Sequence, residues 1–209
     1  MKFGDLLTVA PPNGVFRTGQ ILAGQTSPAH VRRQLGRWVK SERVIRLRRG
    51  VYLLADLYSK TPAHPFAAAN ALKKASYVSL QSALAHHGMI PEYVPVTTSI
   101  TTGRPEELST PIGRFQFRHV RVPLFFGFTE MEIARDQMAL LARPEKALVD
   151  LLYLTPHSDR VEYLRELRLE KPRGLDLEGL HAVVERCRSA KIERAVARLL
   201  ELWENQDPR

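Results

Sequence analysis

Apolar positions change their period along this chain, and each change marks an element. Phe3, Leu6, Leu7 and Ala10 recur at helical spacing, and the prolines and glycine of "APPNG" stop that first helix. Thr18 is placed to cap a short helix, "GQILAG", which Gly24 would close. Ser27-Pro28 then pairs a capping residue with proline at the first helical position, and predicts a helix from roughly Pro28 to Ser41. Within it Val31, Leu35, Trp38 and Val39 share one face, while His30, Arg33, Arg37 and Lys40 fall on the other. From Arg43 the period drops to two. In "RVIRLRRGVYLL", Ile45, Leu47, Val51 and Leu53 alternate with Arg46, Arg48 and Tyr52 about a turn at Arg49-Gly50, where glycine accepts positive φ. The order of helix, short helix, longer helix and hairpin predicts an N-terminal winged helix-turn-helix with the hairpin as its wing.

"DLYSKTPAHPF", with its prolines and polar residues, breaks this pattern and predicts a domain boundary near Ser59 to Pro62. Residues 1–58 then form the winged unit and 62–209 a second domain. Beyond the boundary Pro65 to Ala75 reads as an alanine-rich helix, and a second runs from about Ser79, its cap, to His87. "VPVTTSITT" and "RFQFRHV" read as strands joined by a turn-rich connection, "GRPEELSTPIG". Gln137 to Ala142 reads as a short buried strand, and helices are expected over Glu145 to Leu154, Asp159 to Leu169, Leu177 to Cys187 and Lys191 to Glu204. The fold class is α+β: a winged helix-turn-helix followed by a larger mixed α/β domain ending in helices.

Charge sharpens this picture. The chain has 209 residues and a net charge of +9. Between Arg17 and Gly50 lie nine basic residues and one acid, Glu42, so that one segment carries +8 and all the rest +1. A surplus so concentrated points to an anionic partner, and its position on the third helix and the hairpin points to nucleic acid. The bland alternative is a solvated cationic face. On the nucleic-acid reading the helix enters the major groove, with Ser27 at its start and His30, Arg32, Arg33, Arg37 and Lys40 along it. Arg46, Arg48 and Arg49 grip phosphate or a minor groove.

Other chemistry finds little footing. Cys187 is the single cysteine, so no internal disulfide can form and a reducing cytoplasm is the expected location. The first residues are too briefly apolar for a signal peptide, and no run has the roughly 18 apolar residues of a membrane span. No metal-ligand spacing occurs, so no metal or other cofactor is expected. His86 and His87 are adjacent on a helix and point about 100° apart, which reads as a helix-end pair. In "RPEKALVD" a nuclease would need an acid and a lysine on a strand with a second acid upstream. Glu145 and Lys146 instead follow Pro144 at a helix start, and helix capping is the expected role, with Asp150 one turn on. No nucleophile elbow or phosphate-loop fingerprint is present, so catalysis is not expected.

The stretches "VSLQSALAHHGMIPEYVP", "TSITTGRP", "TPIGRFQFRHV" with "LFFGF", and "ARPEKALVDLLYL" occur in an order that resembles the AbiEi family. These are antitoxins of AbiE-type bacterial toxin–antitoxin and phage-defence systems. The resemblance spans about residues 14 to 204 and includes the hairpin ending "RRGVYLL". It implies a DNA-binding antitoxin that represses its own operon through the winged unit. It also implies a larger domain associated with neutralising a nucleotidyltransferase-like toxin. Carried over, Arg33, Arg37 and Arg48 would contact double-stranded operator DNA, as two copies on an inverted repeat. Thr101, Thr102, Gly103 and Arg104, with Pro144, Glu145 and Lys146, mark the C-terminal fold, with shape-setting favoured over partner contact for Gly103 and Pro144. The alternative is a stand-alone winged-helix regulator with a C-terminal interaction or sensing domain and no toxin.

Overall fold

The computed structural model describes residues 1–22 and 27–206, so the helix-closing role expected of Gly24 lies outside the described residues. The chain is a mixed α+β protein with two sheets. First come α1 (Phe3–Val9), β1 (Val15–Arg17), α2 (Thr18–Leu22), α3 (Pro28–Lys40), β2 (Val44–Arg48) and β3 (Val51–Leu54). The three strands form an antiparallel sheet in the order β1-β3-β2. Pro28 opens α3 as expected, but Ser27 makes no side-chain capping bond. Gly50 sits at φ 82° in the hairpin turn, a conformation that costs other residues strain.

This small sheet is covered on both faces. Phe16, Val44 and Leu54 pack with Leu6, Ile21, Val31, Leu35 and Trp38, so one face closes a core beneath α1, α2 and α3. Val15, Leu47, Val51 and Leu53 face the other way and join the larger core of the remaining chain. The hairpin is therefore a shared wall between two hydrophobic clusters.

The larger part contains α4 (Pro65–Leu72), β4 (Ser76–Val78), α5 (Leu80–His86), β5 (Val96–Thr101), β6 (Glu106–Thr110), β7 (Gly113–His119), β8 (Phe128–Ala134) and β9 (Gln137–Ala142). Four helices follow: α6 (Pro144–Leu154), α7 (Val161–Glu166), α8 (Leu177–Cys187) and α9 (Ala190–Gln206). The sheet order is β6-β7-β5-β4-β9-β8, with β5-β7 and β4-β9 parallel and the other pairs antiparallel. Tyr77, Val78, Ile100, Phe115, Phe117 and Leu141 carry its buried side chains. Half of the connection expected in "GRPEELSTPIG" is strand β6, which lies at the sheet edge and so needs only a half-apolar pattern. Among the described residues, no helix is long and apolar enough to cross a membrane.

One helix start titrates. The His64 ring accepts the Phe66 amide at 3.2 Å through Nδ1 and so caps α4 in its neutral form. Burial, then the charge of His86, push the His64 pKa below the ordinary imidazole value. A depressed pKa means that the unfolded chain takes the proton first. Stability is thus full above about pH 6.5 and falls as pH drops toward the lower native value. Unfolding free energies from urea titrations at pH 7.5 and 5.5 should differ by about 1 kcal/mol or less, the scale of a helix cap. His64→Asn, which caps without titrating, should reduce that difference, and an unchanged difference would refute the assignment.

Candidate nucleic-acid interface

α3 is amphipathic in the strict sense that one face is core and the other is charge. Val31, Leu35 and Trp38 are buried, while His30, Arg32, Arg33, Gly36, Arg37 and Lys40 are all exposed. None of these cations has a carboxylate partner among the described residues, where ion pairs lie elsewhere. Arg37 donates to Gln34 Oε1 of its own helix at 3.4 Å. Arg32 departs from the others. It lines a cleft of about 530 Å³ with Arg46 and Arg49 of the hairpin and Thr18, Leu22 and Tyr52. Helix and hairpin thereby present one continuous basic surface whose guanidinium forks remain available to external acceptors.

Arg48 is not part of that surface, and the reason is a register shift. Arg46 pairs with Tyr52 and Arg48 with Val51, so Leu47 is an extra residue bulged between them. A one-residue slip moves a side chain to the opposite face, which sends Arg48 to the side of the larger core. There its Nη1 donates to the Leu72 carbonyl and to Glu106 Oε1, both at 3.1 Å. The expectation that Arg48 faces out beside Arg46 on the α3 side is thus corrected: alternation alone missed the bulge. Arg43 is also occupied, its guanidinium 5.3 Å over the Phe3 ring.

Arg17, which sequence reasoning left without a role, donates through Nε and Nη2 to the carbonyls of Ala71 and Asn70. With Arg48 on Leu72, two arginines satisfy the orphan carbonyls at the end of α4 and tie the small sheet to the larger part. Lys73 donates to the Arg104 carbonyl and to Glu106 Oε1, both at 2.6 Å. Burial alone would raise the Glu106 pKa, but the hydrogen bonds from Lys73 and Arg48 outweigh it and hold the carboxyl below its ordinary value. It is an anion at neutral pH.

Thr101 to Arg104 and Pro144 to Lys146 shape the larger domain. Thr101 is buried, and its hydroxyl donates to the Ala75 carbonyl at 3.0 Å and accepts the Gly103 amide at 3.1 Å. The Gly103 carbonyl in turn meets His119 Nδ1 at 3.0 Å. Thr102 is half-buried and Arg104 exposed, so this loop is folded chiefly through its backbone. Pro144 opens α6. Glu145 stands in the first turn of α6, where an acid suits the helix N-terminus as expected, and it is also buried and accepts the amide of Asp176, the residue that caps α8, at 3.0 Å. Lys146 is buried in an ion pair with Asp150. A buried pair of this kind offers no reacting group to a substrate. His87 meets the Ala142 carbonyl at 2.8 Å, and His86 is exposed. Among the described residues no group of three or more histidines, cysteines or carboxylates could hold a metal ion.

A scan of protein-family models and a search of curated proteins return no match to this chain.

Proposed function

We propose that this protein is a DNA-binding antitoxin and transcriptional autorepressor of a bacterial toxin–antitoxin operon. Its first 58 residues would act as a winged helix-turn-helix, with α3 in the major groove and β2–β3 as the wing. The observation that carries the DNA-binding half is the exposed cationic face of α3, which has no carboxylate partner among the described residues, beside a basic hairpin cleft. An ordinary solvated helix face mixes acids with bases. On α3 there is no acid, and the neighbouring hairpin repeats the same sign. Arg33 and Arg37 would read base edges, while Arg32, Arg46 and Arg49 would hold phosphate. One such unit reads one half-site, so two copies on an inverted repeat are the fitting arrangement. The antitoxin half rests on the ordered AbiEi-like motifs of the larger domain, and its partner would be a nucleotidyltransferase-like toxin. Both activities belong to the cytoplasm.

Fluorescence anisotropy of the full chain on DNA flanking its own coding region tests the first half. Log affinity should fall linearly with log salt, with a slope of about −0.9 for each phosphate neutralised. Six contacts would weaken binding by about 10³-fold between 50 and 200 mM salt. No saturable binding at 50 mM, or a flat salt response, would overturn the reading. Co-expression with the neighbouring gene tests the second half. Relief of growth arrest supports neutralisation, whereas the absence of a toxic neighbour leaves a stand-alone repressor.

A further inference from the structure

The hairpin has a second basic cleft, on the face opposite α3. It measures about 670 Å³ and lies between the hairpin tip and the turn that joins α4 to β4. Arg17, Arg48, Arg49, Lys73 and Lys74 line it, with Glu106 as its one acid. It shares Thr18, Arg49 and Gly50 with the cleft beside α3, so the two are continuous over the hairpin turn.

We infer that this second cleft is a phosphate-binding site for the same nucleic acid, and that Glu106 holds the phosphate position in the free protein. The inference rests on the DNA-binding reading above. Two cations from different parts of the chain, Arg48 Nη1 and Lys73 Nζ, converge on a single oxygen, Glu106 Oε1. That convergence is the coordination a phosphate oxygen receives from a basic site. Arg17 is committed to the α4 carbonyls and acts as scaffold. Lys74 and Arg49 are exposed at the mouth and have no carboxylate partner among the described residues.

The Glu106 side chain keeps a quarter of its surface exposed, Arg48 about a third and Lys73 14%, so the cluster is part-buried and opens to solvent on its Arg48 side. Exposed pairs are weak and screened by salt. A duplex whose backbone is already anchored at α3 and Arg49 brings its next phosphate to this mouth at high local concentration, where it displaces the carboxylate. Glu106 therefore competes with DNA, keeps Arg48 and Lys73 ordered when none is bound, and lowers affinity for isolated phosphates.

Anisotropy on the same DNA with the full chain tests this through three variants. Glu106→Gln should bind about fivefold more tightly, the scale of one exposed ion pair released. In an Arg48→Ala background that gain should shrink, because one of the two cations that Glu106 holds is gone and only Lys73 is released. Lys74→Ala, which removes no ion pair found among the described residues, should flatten the salt slope by about one. An equal gain with and without Arg48 would reduce Glu106 to a distant charge and overturn the proposal. So would an unchanged slope for Lys74→Ala, which decides the matter even if Arg48→Ala fails to fold. Failure of the unmodified chain to bind would sink both readings, whereas salt-sensitive binding untouched by these variants sinks this one alone.

Discussion

Replacing Arg33 and Arg37 together by alanine should cost operator affinity about a hundredfold or more and leave the thermal melt unchanged. Both side chains are exposed on α3 and neither forms an ion pair among the described residues, so their removal leaves no buried group unsatisfied. The core beneath them, Val31, Leu35 and Trp38, is untouched. Alanine is the better helix former, which adds slight stability. Each arginine that forks onto a base edge contributes about 1–3 kcal/mol of discrimination, and about 1.4 kcal/mol is tenfold in affinity. Single variants separate the roles. A base-reading arginine relaxes sequence preference at one position when lost, whereas a phosphate-binding one weakens all sequences alike and flattens the salt slope by about one. Arg33→Lys keeps the charge but loses the planar fork, so it should retain the slope and lose the preference. If the double variant binds its operator as tightly as the parent, α3 is not the reading helix.

What was legible in the sequence and what was not divide along physical lines. α3 could be read because burial on one face leaves a 3.6-residue signature, and Val31, Leu35 and Trp38 supply it. The hairpin could be read because period two is equally plain, and Arg49-Gly50 supplies the turn. The bulge at Leu47 could not, because a single inserted residue leaves the apolar string unchanged while reversing the face of Arg48. The second cleft was illegible for a different reason. Glu106 lies 58 residues from Arg48 and 33 from Lys73, and no local pattern records a tertiary convergence. The serines and threonines of "VTTSIT" read correctly as strand residues, yet the burial of Thr98 has a reason that only the fold supplies. Thr98, Ser79 and Ser82 satisfy one another through hydroxyls and backbone in the core. The lysine of "PEKALVD" misled most, since a charged residue at a helix start normally faces water.

Breaking the pair that this lysine makes should be among the most destabilising single changes in the molecule. Lys146 and Asp150 are one turn apart on α6, with side chains only 1% and 3% exposed. Asp150 Oδ1 takes the ammonium, and Oδ2 accepts from Tyr77 Oη at 2.9 Å and Ser79 Oγ at 2.8 Å. The ammonium also lies 5.6 Å from the Tyr77 ring centre and 5.1 Å from that of Phe126. Gly127 closes the shell at φ 73°, and a Cβ there would come within 2.9 Å of Lys146 Cγ. Helix α6, strand β4 and the loop before β8 thus share one polar knot inside an apolar core. Removing one partner strands a charge there, so Asp150→Ala should cost about 3–5 kcal/mol of unfolding free energy. Lys146→Met should cost comparably at neutral pH, with a distinct pH response. Burial already pushes the Asp150 carboxyl upward against the pull of Lys146 and its hydroxyl donors. Without the lysine the carboxyl is pushed up further, and an acid whose native pKa is raised gives stability that is full below its unfolded value and lost as pH rises. Urea titrations of Lys146→Met should therefore show a midpoint that climbs toward acid, and the double variant Lys146→Met/Asp150→Leu should recover much of the loss with no such slope. A double variant no more stable than either single one would mean that the pair holds the three elements in place beyond what apolar packing can supply.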